Sequence, residues 1–399
     1  MKTIHKHIAL LTIVTSIIYG CIEPVTVTTD EFEDILVVEA TITNELKFQE
    51  IKLSRTFELN TNDISFTNNT DVSLTEEGGN VFVFKEEAPG IYISDAPFAA
   101  KPNTSYQLTI KTANNTYTST AKMVDGNAKI ETINFVHELD DNGDEGISVN
   151  INSFDPTGNS RYYRYEFEET YKIIAPFWSR LKINVVSPTA VEFTENTDQN
   201  RICYGSRFSS GILQTETTGL TEDRILQKRI QFLKIDDYAI AERYSILIKQ
   251  FTQSPEAFAF YKTLNELSNS ESLLSDNQPG FVKGNINSVG NPDEEVIGFF
   301  EISNVSNKRE FFSWRDIFPS SQRRPPYKIQ NCTLLAPQFD ANDNELIDVL
   351  NAGYYIYFRE NWIIGDTLIP NGGPYVLVQP ECGDCTRLGS NVPPDFWIE

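Results

Sequence analysis

The chain has 399 residues, with 33 Lys and Arg against 56 Asp and Glu, and a net charge of -23 at neutral pH. That excess argues against a nucleic-acid partner and against lying flat on anionic lipid, since both would be repelled. Aromatic residues make up 12%, and with the many Thr, Val and Ile they favour strands, while the length favours two domains or one large β domain with a smaller companion.

The first twenty residues carry Lys2 and Lys6 ahead of an apolar run at 8–18, then Gly20 and Cys21. A basic start and a short apolar stretch read as an export signal, too short to remain as a spanning helix. A Cys directly after a small residue at the cut is the arrangement of a bacterial lipoprotein. The Cys21 thiol is expected to take a diacylglyceryl group and the new amino terminus an acyl chain, and more than one chain gives stable anchoring. Ile18 and Tyr19 depart from the commonest form of that signal, and the rival reading is an ordinary cleaved signal with an incidental Cys. Removing residues 1–20 removes two Lys, taking the charge from -23 to -25. Residues 21–29 then form a polar, Pro-containing tether.

From residue 35 the chain shows short alternating runs, at 35–42, 50–54, 80–84, 91–93, 105–111 and 116–120. Asn44-Glu45, Gly78-Gly79, Pro89-Gly90 and Asn114-Asn115 separate them as turns. About seven short strands in roughly a hundred residues is the pattern of an immunoglobulin-like or transthyretin-like sandwich, which we place at 30–125. A larger β-rich domain is expected at 126–399. In it, 147–151 alternates, and 161–171 puts Tyr163, Tyr165, Phe167 and Tyr171 on one face with Arg164, Glu166 and Glu168 on the other. A strand at 244–249 follows. Ser254 then caps a helix with Pro255 in its first turn, and Ala257, Phe258, Tyr261 and Leu264 recur at helical spacing. That helix is predicted over 254–267, strand character resumes at 284–286 and 296–302, and a second short helix is expected at 343–350.

Four cysteines remain beside Cys21: Cys203, Cys332, Cys382 and Cys385. An even number in an exported chain points to disulfides, with three connectivities open. A four-thiolate metal site is the weaker reading, because no second C-x-x-C accompanies Cys382–Cys385 and the only His after the signal is His137. A redox pair would want the motif opening a helix after a strand, and here it reads as a loop.

The Asp140, Asn142, Asp144 spacing invites a calcium reading, but Glu145 stands at the sixth position and Ile151 at the twelfth, so a polar β-turn is the simpler account. Asp340 to Glu345 reads as a cap for the helix after it. Hydrolase signatures are poor: no G-x-S-x-G surrounds Ser206 or Ser210, and His137 alone would have to serve as base. There is no P-loop or dinucleotide fingerprint. Arg323 and Arg324 form a local basic cluster that reads as a solvated loop. Trp178, Trp314, Trp362 and Trp397 read as core aromatics before binding platforms. Asp366-Thr367-Leu368 matches a three-residue O-glycosylation pattern that arises easily by chance.

Several of these stretches together resemble a known family: the start at Cys21, the strand at 36–44, Lys52 to Arg55, Arg243 to Ile246, the helix, Val282 to Ile286, Gly298 to Phe300, Cys382 to Cys385 and Pro394 to Trp397. In their order and spacing they are similar to the Bacteroidetes lipoproteins of the domain-of-unknown-function 4249 family. The resemblance implies an outer-membrane lipoprotein, often encoded beside TonB-dependent receptors, and brings no catalytic residues. The expectation is a lipid-anchored accessory protein, not an enzyme and without a cofactor, that binds a small ligand, peptide or glycan or covers a TonB-dependent transporter. A structural lipoprotein that binds only other envelope proteins is the alternative, and a surface hydrolase ranks last.

Overall fold

Val296–Ser313 is a strand of 18 residues, and the fold is organised around it. Its first half runs parallel to Leu36–Thr43, with Leu36 opposite Val296 and Thr43 opposite Ser303. Its second half runs antiparallel to Arg243–Thr252, from Asn304 opposite Thr252 to Ser313 opposite Arg243. One strand thereby belongs to two β units and joins them in a single sheet of 13 strands. The computed structural model describes residues 34–56, 66, 70–269, 282–340, 343–362 and 368–399. Cys21, the signal, the tether and Asp366-Thr367 lie outside the described residues.

The first unit contains Leu36–Thr43, Glu50–Arg55, Asp71–Glu76, Val81–Ala88, Ile91–Ser94, Ser105–Lys111 and Thr116–Lys122. Asp71–Glu76 was not among the predicted runs, although Val72 and Leu74 alternate with polar neighbours and are buried. It is the central neighbour of Val81–Ala88 and Ser105–Lys111. Alternation puts Val38, Ala40 and Ile42 inside with Tyr92, Tyr106 and Leu108. The sheet turns back on itself, so that Thr116–Lys122 lies against Val296–Ser313 and encloses one core.

The boundary expected after residue 125 is not a break in packing. Ile286, Val296, Phe300 and Ile302, from the span assigned to the larger domain, complete the core of the first unit. Parallel strands need a long connection, and here it takes in the other six strands of the first unit and then most of the second unit, so neighbouring residues in sequence give no sign of the return. Two glycines make the return fit. Gly298 has φ +128°, and a Cβ there would stand 2.0 Å from the Val38 carbonyl oxygen. A Cβ on Gly284 would stand 1.6 Å from the Gly298 oxygen. Between them Asn285 behaves as a strand partner: its side chain accepts from Phe300 N at 2.8 Å and donates to Phe300 O at 2.7 Å.

The second unit is a sandwich of two sheets. Lys129–Leu139, Glu145–Phe154 and Arg224–Lys234 form one. Tyr162–Ile174, Ile202–Phe208, Leu213–Glu216 and Arg243–Thr252 join the long strand in the other. Ile147, Val149 and Ile151 pack with Tyr163, Tyr165, Tyr171, Ile246 and Ile248, so the tyrosine face predicted for 161–171 is the core face. The Arg243–Thr252 strand runs through Gln250, which is 1% exposed and donates to Ser153 Oγ.

The predicted helix is present as Pro255–Asn269. The Ser254 hydroxyl accepts from Ala257 N at 3.1 Å, and Ala257 and Phe260 pack on Phe299 of the long strand. The second helix, Glu345–Ala352, is entered through Asp343, which accepts from Glu345 N. It closes a small third cluster with the hairpin Leu181–Ser187 and Ala190–Glu195 and the strands Ile356–Glu360 and Tyr375–Val378.

All four cysteines pair, Cys203 with Cys385 and Cys332 with Cys382. The segment around them is not the expected loop. Pro380–Gly383 makes one helical turn after the Tyr375–Val378 strand, and Cys385–Arg387 makes a 3-10 turn. Each cysteine of the motif bonds a distant partner instead of its neighbour, which removes the redox-pair and four-thiolate readings.

Candidate functional site

The joint between the two units carries a buried ion pair. In the sequence reading Arg164 lies on the face opposite the tyrosines. It does point away from them, but it is only 7% exposed, because the helix Pro255–Asn269 and the long strand cover it. Its Nη2 donates to Glu301 Oε1 at 3.0 Å and its Nη1 to Glu166. The guanidinium lies between the Phe251 and Tyr261 rings, 4.5 and 4.9 Å from their centroids. Glu301 also accepts from Thr41 Oγ1 at 3.1 Å and Gln253 Nε2 at 3.3 Å. Burial alone would lower the Arg164 pKa, but Glu301, with Tyr261 and Glu166, raises it. Burial pushes the Tyr261 hydroxyl up as well. Both groups therefore hold one protonation state at any ordinary pH.

Over this floor lie two adjoining grooves of about 400 and 340 Å³, which share Glu39, Glu166 and Lys249. One runs from Arg164 and Tyr261 to the loop Ser209-Ser210-Gly211. The other runs over Thr41 and Thr43 of the first unit to Phe48, a side chain 56% exposed. Lys47, Lys52 and Arg164 pair with Glu45, Glu50 and Glu166. Among the described residues, Glu39 and Lys249 make no ion pair at contact distance, although, against burial, Lys249 joins Lys47 in holding the Glu45 carboxyl below the usual range. One carboxylate and one ammonium therefore face the space without a direct partner. Ligand sites favour such joints between units. Opposite fixed charges, threonine hydroxyls and an aromatic edge suit non-covalent capture of a polar ligand.

Two further buried polar clusters stiffen the second unit. Glu169 falls on the tyrosine face and is 2% exposed. It accepts from Tyr244, which burial holds well above the usual phenol range, and from Arg207, which also reaches Asp237. Asp155 and Asp223 are both buried and both accept from Ser160 N, at 3.0 and 3.1 Å. Hydroxyl donors from Thr157 and Ser160 serve Asp155, and those from Tyr163 and Thr217 serve Asp223. Of these residues only Tyr163 stood out in the sequence, as part of the tyrosine face. The one available sign was an acid in the apolar register of a strand, as at Glu169.

The residues singled out in the sequence do not converge. Asp140 closes the turn between two strands, accepting from Asn142 N and Asp144 N at 2.9 Å each. Those bonds hold its carboxyl below the usual range, while Asp144 pairs with Lys234. Among the described residues no group of three or more His, Cys, Asp or Glu is placed to hold a metal. His137 bonds Glu145 at 2.8 Å, and Arg324 pairs with Glu242. Trp314 is fully buried, Trp178 bonds Asn200, Trp397 packs on Tyr204 and Phe311, and Trp362 is exposed. No described helix is long and apolar enough to cross a membrane.

Fold and site define a mainly β protein of two units sharing one strand, with a charged groove at their joint. The chain belongs to the family described as Domain of unknown function (DUF4249), whose model matches residues 22–309. The match takes in the groove and ends inside the long strand, so Cys332, Cys382 and Cys385 lie beyond it. No curated protein and no solved structure matches the chain.

Proposed function

We propose that this chain is a lipid-anchored outer-membrane lipoprotein, held through Cys21, that serves a TonB-dependent transporter as an accessory ligand-binding or capping partner. The observation that carries the reading is the groove between the units, with unpaired Glu39 and Lys249 over the rigid Arg164–Glu301 floor. Its chemistry favours a polar ligand bearing charge of both signs, or a polar loop of the transporter, bound without a covalent step. The export signal and the anionic body support a post at the envelope surface facing water.

Affinity purification from detergent-solubilised membranes tests it, comparing the native chain with Lys249→Glu and with Cys21→Ala. The native chain should bring down an outer-membrane barrel. Lys249→Glu should lose most of that barrel while staying in the membrane fraction, and Cys21→Ala should leave that fraction. Recovery of the same barrel by Lys249→Glu would remove the groove from the account. A Cys21→Ala chain that is still processed and membrane-bound would remove the anchor.

A further inference from the structure

The basic cluster at Arg323 and Arg324, a solvated loop by its sequence, closes a pocket in the fold. Pro325 is buried. Tyr327 packs on the core of the second unit, and its hydroxyl donates to the Glu381 carbonyl at 3.0 Å. Arg324 pairs with Glu242, and Cys332 a few positions on is tied to Cys382. The loop is thereby fixed against two other walls, the end of the Tyr162–Ile174 strand and the 3-10 turn Tyr238–Ile240. The space between them measures about 130 Å³. Ile173, Ile174, Pro176 and Pro325 line it, with Tyr238 and Tyr327 beside them. Cations line it too: Lys172, Arg324 and Lys328, against the carboxylate of Glu242. Lys172 has an outside partner, Glu399, at 2.6 Å. Lys328 is exposed, makes no ion pair among the described residues, and stands 5.5 Å from the centroid of the Tyr238 ring. Glu381 and Asp384 act on the Tyr327 hydroxyl and are not part of the lining. In a chain of net charge -23, this opening is locally of the opposite sign.

We propose that this pocket binds an aromatic carboxylate one ring wide. An apolar cavity of about 150 Å³ admits one benzene ring, so the volume here sets the size of the apolar part. Two tyrosines in the wall suit edge-to-face or offset contact with a further ring. The carboxylate lies at the Lys328 ammonium, which has no direct partner. Arg324 and Lys172 stand beside it, each with donors beyond those given to Glu242 and Glu399. A ring alone leaves the cations unused, and a bare anion leaves the apolar walls wet. The lining therefore selects both in one molecule. Walls fixed in advance lose little freedom on binding. The pocket shares no lining residue with the grooves at the joint, and Arg324 to Lys328 lie beyond the family match. It stands or falls without the proposed function.

The probe is phenylpropionate, titrated against the purified full chain and followed by saturation-transfer NMR of the ligand. Phenylpropanol supplies the ring without the charge, and propionate the charge without the ring. Phenylpropionate should bind at least about tenfold more tightly than either, the difference that one charge-assisted contact or one buried ring makes. Added salt should weaken it and leave phenylpropanol unaffected. Lys328→Glu should cost phenylpropionate at least about tenfold and phenylpropanol nothing. It should leave the thermal midpoint in place, because the side chain is exposed and unpaired. Ala241→Leu puts a larger side chain on the lining and should abolish binding of both. Equal affinity for phenylpropionate and phenylpropanol overturns the proposal, as does undiminished affinity in Lys328→Glu. So does the absence of saturable binding at about 10 mM phenylpropionate, where a ligand of this size fills a matched pocket.

Discussion

Arg164 and Glu301 stand 137 positions apart in sequence and meet at 3.0 Å, with only 9% and 5% of their side chains exposed. The pair ties the core-lining strand of the second unit to the half of the long strand that belongs to the first. It is the electrostatic counterpart of the shared strand, and it forms the floor of the groove.

Removing Glu301 leaves buried Arg164 with only the half-exposed Glu166 to pair with, so the cost should fall toward the lower end of the about 3–5 kcal/mol seen when a buried charge loses its partner. We expect Glu301→Gln to lower the free energy of urea unfolding by that order. The double change Arg164→Met with Glu301→Leu should cost clearly less than the sum of the two single changes. Strict additivity would mean that the pair carries no coupling.

Gly298 should accept no side chain. Its backbone lies in the left-handed region and the Val38 carbonyl occupies the place of a Cβ. Gly298→Ala is expected to cost about 2 kcal/mol or more, from strain and overpacking together. A control substitution at Gly211, where a Cβ meets open space, should change the thermal midpoint little.

Acid should weaken the fold partly through Asp155. Burial alone would raise its pKa, but hydrogen bonds from Ser160, Thr157 and Asn127 outweigh that and lower it. A carboxylate whose folded pKa lies below its unfolded value binds fewer protons folded than unfolded. Its stabilisation is therefore complete above about pH 5 and fades as pH falls through the unfolded value of about 3.9. Below the folded value it is gone. Asp155→Asn should flatten the acid limb of a stability-against-pH curve while lowering stability at neutral pH. An unchanged acid limb would show that other carboxylates govern it.

Peptide mapping without reduction should recover Cys203 joined to Cys385 and Cys332 joined to Cys382, and no Cys382–Cys385 bond. The links span 182 and 50 residues. Loop-closure entropy sets their largest contributions near 5 and 4 kcal/mol respectively. Reduction should accordingly loosen the last third of the chain first, seen as faster amide exchange at 375–378.

Much of the local structure was legible in residues 35–122, because alternation of apolar and polar side chains is a local signal and a half-buried strand has no other way to satisfy it. The helix at Ser254-Pro255 was legible for the same kind of reason: its cap and its apolar spacing lie within one stretch. The strand Asp71–Glu76 carried that signal too and was passed over. The groove was not legible. Nothing near Arg164 in sequence signals its burial, which comes from a helix and a strand that begin 91 and 132 positions further on.

Composition, the Gly20-Cys21 junction, strand alternation and an even set of cysteines by themselves determined a β-rich, disulfide-bearing chain read as exported. Only the tertiary structure decided that residues 282–302 return to the first unit, which cysteines meet, and where unpaired charges face open space. The reason is physical: periodicity is written between neighbours a few positions apart, whereas parallel pairing, disulfide choice and the burial of an ion pair depend on which distant segments the core brings together.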